Sequence, residues 1–125
     1  MKKFSTAWKS STKQKKQRKY RSNATLHIKQ KFVHSHLSKD LRKKYDKRSV
    51  GLRKGDKVKV MRGQFKKHEG KVERVDLRST RIFVSGVEST KKDGTKILLA
   101  LNPSNLMVTE LNLDDKLRQN IIERK

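Results

Sequence analysis

Residues 1–54 carry 19 basic side chains against 2 acidic ones, and this imbalance limits what the chain can fold into. A segment so charged repels itself at every degree of collapse, so it needs an external polyanion to order it and cannot build a core alone. Residues 55–125 hold 16 basic and 10 acidic residues, a far milder balance. Core building therefore falls to the C-terminal part, and 125 residues suit one small core. The formal charge of +23 makes nucleic acid the natural partner.

The basic part begins without hydrophobic period. From Lys13 to Arg21 the side chains are nearly all long and polar, and the good helix propensity of Lys, Gln and Arg predicts a helix once phosphates screen the repulsion. Thr25 and Ser38 are each placed as helix N-caps, with Asp40 in the favourable first turn of the second helix. Two short helices are expected over 26–35 and 39–46, with Leu37, Leu41 and Tyr45 forming one apolar stripe at fourfold spacing.

After Leu52 the period changes from four to two. In Lys57-Val58-Lys59-Val60-Met61 the valines share one strand face, and further strands are expected over 71–75, 81–85, 96–100 and 106–111. Gly, Asp, Asn, Ser and Pro in the separators Arg62-Gly63, Leu77-Arg78-Ser79-Thr80, Asp93-Gly94 and Asn102-Pro103-Ser104 are turn formers. Five such strands predict a mostly β domain, a small barrel, because so short a sheet has few other ways to cover its edges and its apolar face. Beyond it, Asn112 can cap a closing helix, with Asp114 and Asp115 at its positive end and Leu113, Leu117 and Ile121 on its buried face. The expected division is a basic, partly helical extension over 1–51, the β domain over 52–111 and a C-terminal helix over 112–125.

Gly55 through Val72 is the most informative stretch. A strand leads into the basic loop Arg62-Gly63-Gln64-Phe65-Lys66-Lys67-His68, and Gly70-Lys71 opens the next strand. Gly63 and Gly70 are expected as structural turn residues, Gly70 because it lets the strand begin close to another backbone. Arg62, Lys66, Lys67, His68 and Lys71 would then meet phosphates at low ordering cost.

This segment resembles the KOW motif shared by several ribosomal proteins and NusG-like transcription factors. The likeness continues outside it: Leu26-His27 with its basic helix, Leu37-Ser38-Lys39-Asp40-Leu41-Arg42-Lys43-Lys44-Tyr45, Lys47-Arg48-Ser49, Asp93-Gly94, Asn102-Pro103-Ser104-Asn105 and Ile121-Ile122-Glu123-Arg124-Lys125. Together, roughly residues 13–125 resemble the twenty-fourth protein family of the large ribosomal subunit, in its archaeal and eukaryotic form. The resemblance implies a five-stranded SH3-like barrel that binds large-subunit ribosomal RNA early in assembly, beside neighbouring ribosomal proteins and near the nascent-peptide tunnel exit. The short C-terminus after Glu123 fits the archaeal form better. Three positions depart from the family pattern: Lys67 and Asp46 stand where glycine is usual, and Thr25 where proline usually precedes Leu-His. A transcription or chromatin-associated KOW protein is the alternative reading.

The expected RNA contacts in the extension are Lys9, Lys13, Lys15, Lys16, Arg18, Lys19, Tyr20, Arg21, His27 and Lys31. Phe4, Trp8 and Tyr20 lie among cations, where they can stack on exposed bases or pack on neighbouring protein.

Catalytic readings fare poorly. Six residues separate Gly63 from Gly70 and Val72 follows Lys71, whereas a phosphate-binding P-loop wants four residues and then Ser or Thr. His34 and His36 lack further ligands at metal-site spacing, and no Ser-His-Asp or paired-carboxylate arrangement is identifiable. The chain has no cysteine and so nothing that requires an oxidising compartment. Ser5, Thr6, Lys9, Ser10 and Ser11 interrupt any signal-peptide core after Met1-Lys2-Lys3. A cytoplasmic protein without cofactor, metal, small-molecule substrate, enzymatic activity or membrane insertion is expected.

Overall fold

Val58 and Val60 are buried and alternate with half-exposed Lys57 and Lys59, so one strand face builds the core while the other carries charge. The computed structural model describes residues 4–6 and 9–124. In chain order these include α1 (Gln14–Asn23), α2 (Leu26–Phe32), β1 (His34–Leu37), α3 (Lys39–Tyr45), β2 (Ser49–Gly51) and β3 (Lys57–Val60). There follow β4 (Glu69–Asp76), β5 (Arg81–Val84), β6 (Glu88–Thr90), β7 (Lys96–Leu98), β8 (Leu106–Glu110) and α4 (Lys116–Glu123).

All five expected strands form, but the sheet is larger than the sequence suggests. Six strands pair in the order β2-β1-β8-β3-β4-β5, and β6 and β7 make a separate hairpin around the Asp93-Gly94 turn. The pairings among the described residues form an open order; beyond β5 there is one isolated bridge, Ile82 to Leu101. β1 runs parallel to β8, pairing Leu37 with Val108, and antiparallel to β2. Val33, Leu37, Leu52, Val72, Ile82, Val84, Leu106 and Val108 join the two β3 valines in one apolar cluster.

β1 corrects the expected helix over 26–35, which stops at Phe32. In His34–Leu37, Ser35 and Leu37 turn inward while both histidines face out, a period of two that overrides the fourfold spacing of Leu37, Leu41 and Tyr45. The buried Ser35 hydroxyl donates to the Pro103 carbonyl at 2.6 Å, which satisfies it and ties β1 to the 3-10 turn Pro103–Asn105. Partial desolvation holds the His34 imidazole below its ordinary pKa.

Ser38 caps α3 as expected, its hydroxyl accepting from the Leu41 N–H, and Asp46 ends that helix in the left-handed region at φ 51°. Thr25 occupies the N-cap position of α2, but only its carbonyl serves there, accepting from the Ile28 and Lys29 N–H groups.

The C-terminal helix differs most from expectation. Asp115, not Asn112, is its cap, accepting from the Leu117 N–H. Leu117 and Ile121 are 70% and 60% exposed, and the face that docks carries Arg118 and Ile122. Arg118 reaches buried Asp56 at the head of β3 and decides that orientation.

Candidate nucleic-acid interface

Two backbone hydrogen bonds close the basic loop between β3 and β4. The Lys67 N–H donates to the Val60 carbonyl and the Val60 N–H donates to the His68 carbonyl, both at 2.8 Å. Inside, the Lys66 N–H donates to Gly63 and the His68 N–H to Phe65, whose ring packs against the core. The loop is thus pinned from below while Arg62, Lys66 and Lys67 stay exposed.

Its two glycines serve different ends. Gly63 lies at φ 94° with open space where a Cβ would stand, so backbone conformation alone calls for glycine there. At Gly70 a Cβ would come within 2.5 Å of the Ser85 carbonyl oxygen, so close approach between β4 and the end of β5 calls for it. Lys67, which departs from the family's glycine, adopts φ 75°.

His68 points inward: its Nε2 lies 2.9 Å from the Ser85 carbonyl oxygen and its ring packs on Gly86. Lys71 has its N–H on the Ser85 hydroxyl at 3.0 Å and its side chain exposed. Ser85 therefore holds both flanks of the loop exit in place.

In the extension, α1 has no buried residue, and Lys15, Lys16, Arg18, Lys19 and Arg21 are exposed along it, with Lys13 at its N-cap. Lys9 is exposed before it, and His27 and Lys31 are exposed on α2. Aromatic contacts hold α1 in place. Tyr20 meets Phe4 at 5.2 Å and Phe32 at 6.2 Å between ring centroids, and the Arg21 guanidinium lies 5.7 Å over Phe32. Protein packing thus occupies Phe4 and Tyr20; Trp8 lies outside the described residues.

Charge is partitioned sharply. Asp56, Glu69, Glu88, Glu110 and Asp115 pair with Arg118, Lys59, Lys96, Lys57 and Arg53 respectively, all within the sheet, the β6–β7 hairpin, α4 and the segments that lead into them. The hydrogen-bonded Lys59 ammonium holds Glu69 below the ordinary carboxylate range, and Glu110 raises Lys57. Among the described residues, Lys15, Arg18 and Arg21 of α1, Lys31 of α2, and Arg62, Lys66 and Lys67 of the β3–β4 loop join none of these salt bridges.

Sequence reading missed two constellations. One is the Asp56–Arg118 pair, for which an arginine amid the leucines of the closing helix was the only signal. The other is Lys29, Arg78 and Arg81, which the fold gathers beside Arg18 and Arg21. Among the described residues no cluster of His, Asp and Glu is arranged to hold a metal, and no helix is long and apolar enough to cross a membrane.

A family model that unites the eukaryotic ribosomal proteins L26 with their archaeal 24P counterparts matches residues 11–125. The chain belongs to this family. It is 50% identical over 110 residues to a large ribosomal subunit protein uL24 of Methanothrix thermoacetophila, a match covering 88% of this chain and 95% of the relative. A protein of the same name from Methanosphaera stadtmanae is 45% identical over 111 residues, covering 89% and 95%. As a member of a ribosomal protein family, the chain is a structural component and not an enzyme. The family match takes in α1, the β3–β4 loop and α4 alike, so these elements belong to one unit with the sheet.

Proposed function

We propose that the chain is a structural protein of the large ribosomal subunit that binds large-subunit rRNA in the cytoplasm. Contacts run from the backbone phosphates to Lys9, Lys13, Lys15, Lys16, Arg18, Lys19, Arg21, His27 and Lys31 in the extension. Arg62, Lys66, Lys67 and Lys71 extend them around the β3–β4 loop. One observation carries this reading: carboxylates neutralise cations of the sheet and α4, whereas Lys15, Arg18 and Arg21 of the extension and Arg62, Lys66 and Lys67 of the loop are exposed and outside those salt bridges. His68 and Tyr20 serve this surface as internal supports, given their contacts with Ser85 and with Phe4 and Phe32.

The family resemblance supports finer points: binding early in assembly, neighbouring ribosomal proteins as further partners, and a position near the tunnel exit. On the same ground we read β3, β4, β5, β7 and β8 as the five strands of an SH3-like barrel over 52–111, flanked by the extension over 1–51 and the helix over 112–125.

Sucrose-gradient fractionation of cell extract with an antibody to the chain tests the assignment. Cosedimentation with large subunits is expected; recovery chiefly in free fractions or with RNA polymerase counts against it. Intact chain and a chain lacking residues 1–21 should also be competed for assembling subunits. The truncated chain should lose ground as salt rises, because ordering of this segment draws on phosphate contacts. Equal incorporation at every salt concentration would reject the extension's role.

A further inference from the structure

Between α1, α2 and the β4–β5 turn lies an open cleft of about 590 Å³. Arg18 and Arg21 come to it from α1, Lys29 from α2, and Arg78 and Arg81 from the turn, with Asn102 beside them. No carboxylate lines the cleft, and its other groups are the hydroxyls of Ser22, Ser79 and Thr80. Five cations from three elements thus converge without a counter-charge in the lining, an arrangement that repels itself and focuses positive potential into the opening.

The turn is built to hold its arginines in place. Asp76 accepts from the Arg78 N–H at 2.9 Å, the Ser79 N–H at 3.3 Å and the Ser79 hydroxyl at 2.6 Å. The Ser79 hydroxyl above all keeps Asp76 below the ordinary carboxylate range, so these bonds persist at neutral pH. The Lys29 ammonium donates to the Arg78 carbonyl at 3.0 Å and ties α2 to the turn. Guanidinium groups present planar donor forks that match phosphate oxygens. A water takes about 30 Å³ of liquid volume, so the cleft has room for a much larger group. An acidic protein segment would want an apolar anchor pocket, whereas charged and hydroxyl groups dominate this lining.

We propose that this cleft seats a phosphodiester of the RNA backbone and that the bound phosphate locks α1 and α2 against the β4–β5 turn. The proposal rests on the rRNA-binding reading above and adds a place and a consequence: the extension and the sheet grip one stretch of RNA together, and RNA fixes their relative position.

The test uses the full chain with transcribed large-subunit rRNA. A double variant Arg78→Gln/Arg81→Gln is compared with Lys91→Gln/Lys92→Gln, which removes the same charge from the exposed β6–β7 turn. All four side chains are exposed, and matched melting curves establish that both variants fold. The arginine variant is expected to bind on the order of tenfold more weakly than the lysine variant, as befits the removal of charge-assisted hydrogen bonds. Its slope of log affinity against log salt should fall by about 0.7–0.9 for each phosphate that is no longer neutralised. RNA should slow amide exchange in α1 of wild type and of the lysine variant but not of the arginine variant. Equal affinity loss in the two variants, or α1 protection that survives the arginine changes, overturns the seat while leaving rRNA binding intact. Protection of α1 by polyglutamate but not by RNA overturns it in favour of an acidic protein partner. Absence of salt-sensitive RNA binding by wild type removes the underlying reading, and the inference with it.

Discussion

Arg118 lays both terminal nitrogens of its guanidinium on the Asp56 carboxylate, at 2.6 and 2.7 Å, with the two residues 4% and 0% exposed. The remaining valences are met: Asp56 also accepts from the Arg53 and Asn112 N–H groups, and Arg118 also donates to the Asn112 and Gly51 carbonyls. One pair thereby joins the start of β3, the end of β2, the segment after β8 and α4. Removing one partner leaves a buried charge uncompensated, so Arg118→Met should destabilise the fold by about 3–5 kcal/mol. Arg118→Met combined with Asp56→Asn should cost less than the two single changes together. Urea unfolding measures both, and a wild-type midpoint for Arg118→Met would show that the pair does not anchor α4.

Lys67 tests whether loop geometry and loop charge are separable. At φ 75° a lysine bears left-handed strain of about 1–2 kcal/mol, against which glycine brings about 0.4–1 kcal/mol of extra unfolded-state entropy. Lys67→Gly should therefore stabilise the protein by about 0.5–1 kcal/mol, whereas Lys67→Ala retains the strain and should not. RNA affinity should fall equally in both, because each loses the same ammonium. Thermal melting and filter binding read the two effects independently; equal melting temperatures would refute the strain argument.

Gly70 and the lysines before it should divide the other way. A side chain at position 70 meets the Ser85 carbonyl oxygen at 2.5 Å and the Val84 Cγ1 at 2.9 Å, and neither can retreat without moving β5. Gly70→Val should cost on the order of 1–3 kcal/mol, as overpacking does. Lys66→Glu/Lys67→Glu changes exposed charge alone, and should keep the melting temperature while weakening RNA binding. A comparable drop in melting temperature for both variants would mean the roles are wrongly divided.

Asp115 gives the C-terminal helix an acid limit. The Arg53 side chain, followed by the Leu117 N–H, holds its carboxyl below the ordinary aspartate range. A depressed folded-state pKa contributes stability that is present above the unfolded value and lost as pH falls through the folded one. Fraying of α4 should therefore set in below about pH 4, and exchange of the Leu117 amide should accelerate there. Asp115→Ala should speed that exchange at neutral pH and remove this contribution to its acid dependence, although Glu69, Asp76 and Asp93 are depressed as well. An unchanged acid profile in the variant would exclude Asp115 as its source.

Much of this molecule was legible in local pattern. Alternation over 57–111 names the strands whose valines face inward, because a strand's side chains alternate by geometry alone. Ser38 and Asp40 announce α3, the Asp93-Gly94 pair announces a turn, and excess basic charge announces a polyanionic partner, each through chemistry within a few residues. Tertiary structure decided what local period cannot encode. Leu37 fits a helical stripe and a strand equally well until β8 offers it a parallel neighbour in Val108. Leu117 and Ile121 outrank Arg118 as core candidates until Asp56, 62 positions away in sequence, supplies a buried fork for the guanidinium. Arg78 and Arg81 look like ordinary turn residues until α1 and α2 fold across them and bring Arg18, Arg21 and Lys29 to the same cleft. In each case the deciding energy is a pairing between distant segments, and such a pairing exists only once the chain has closed on itself.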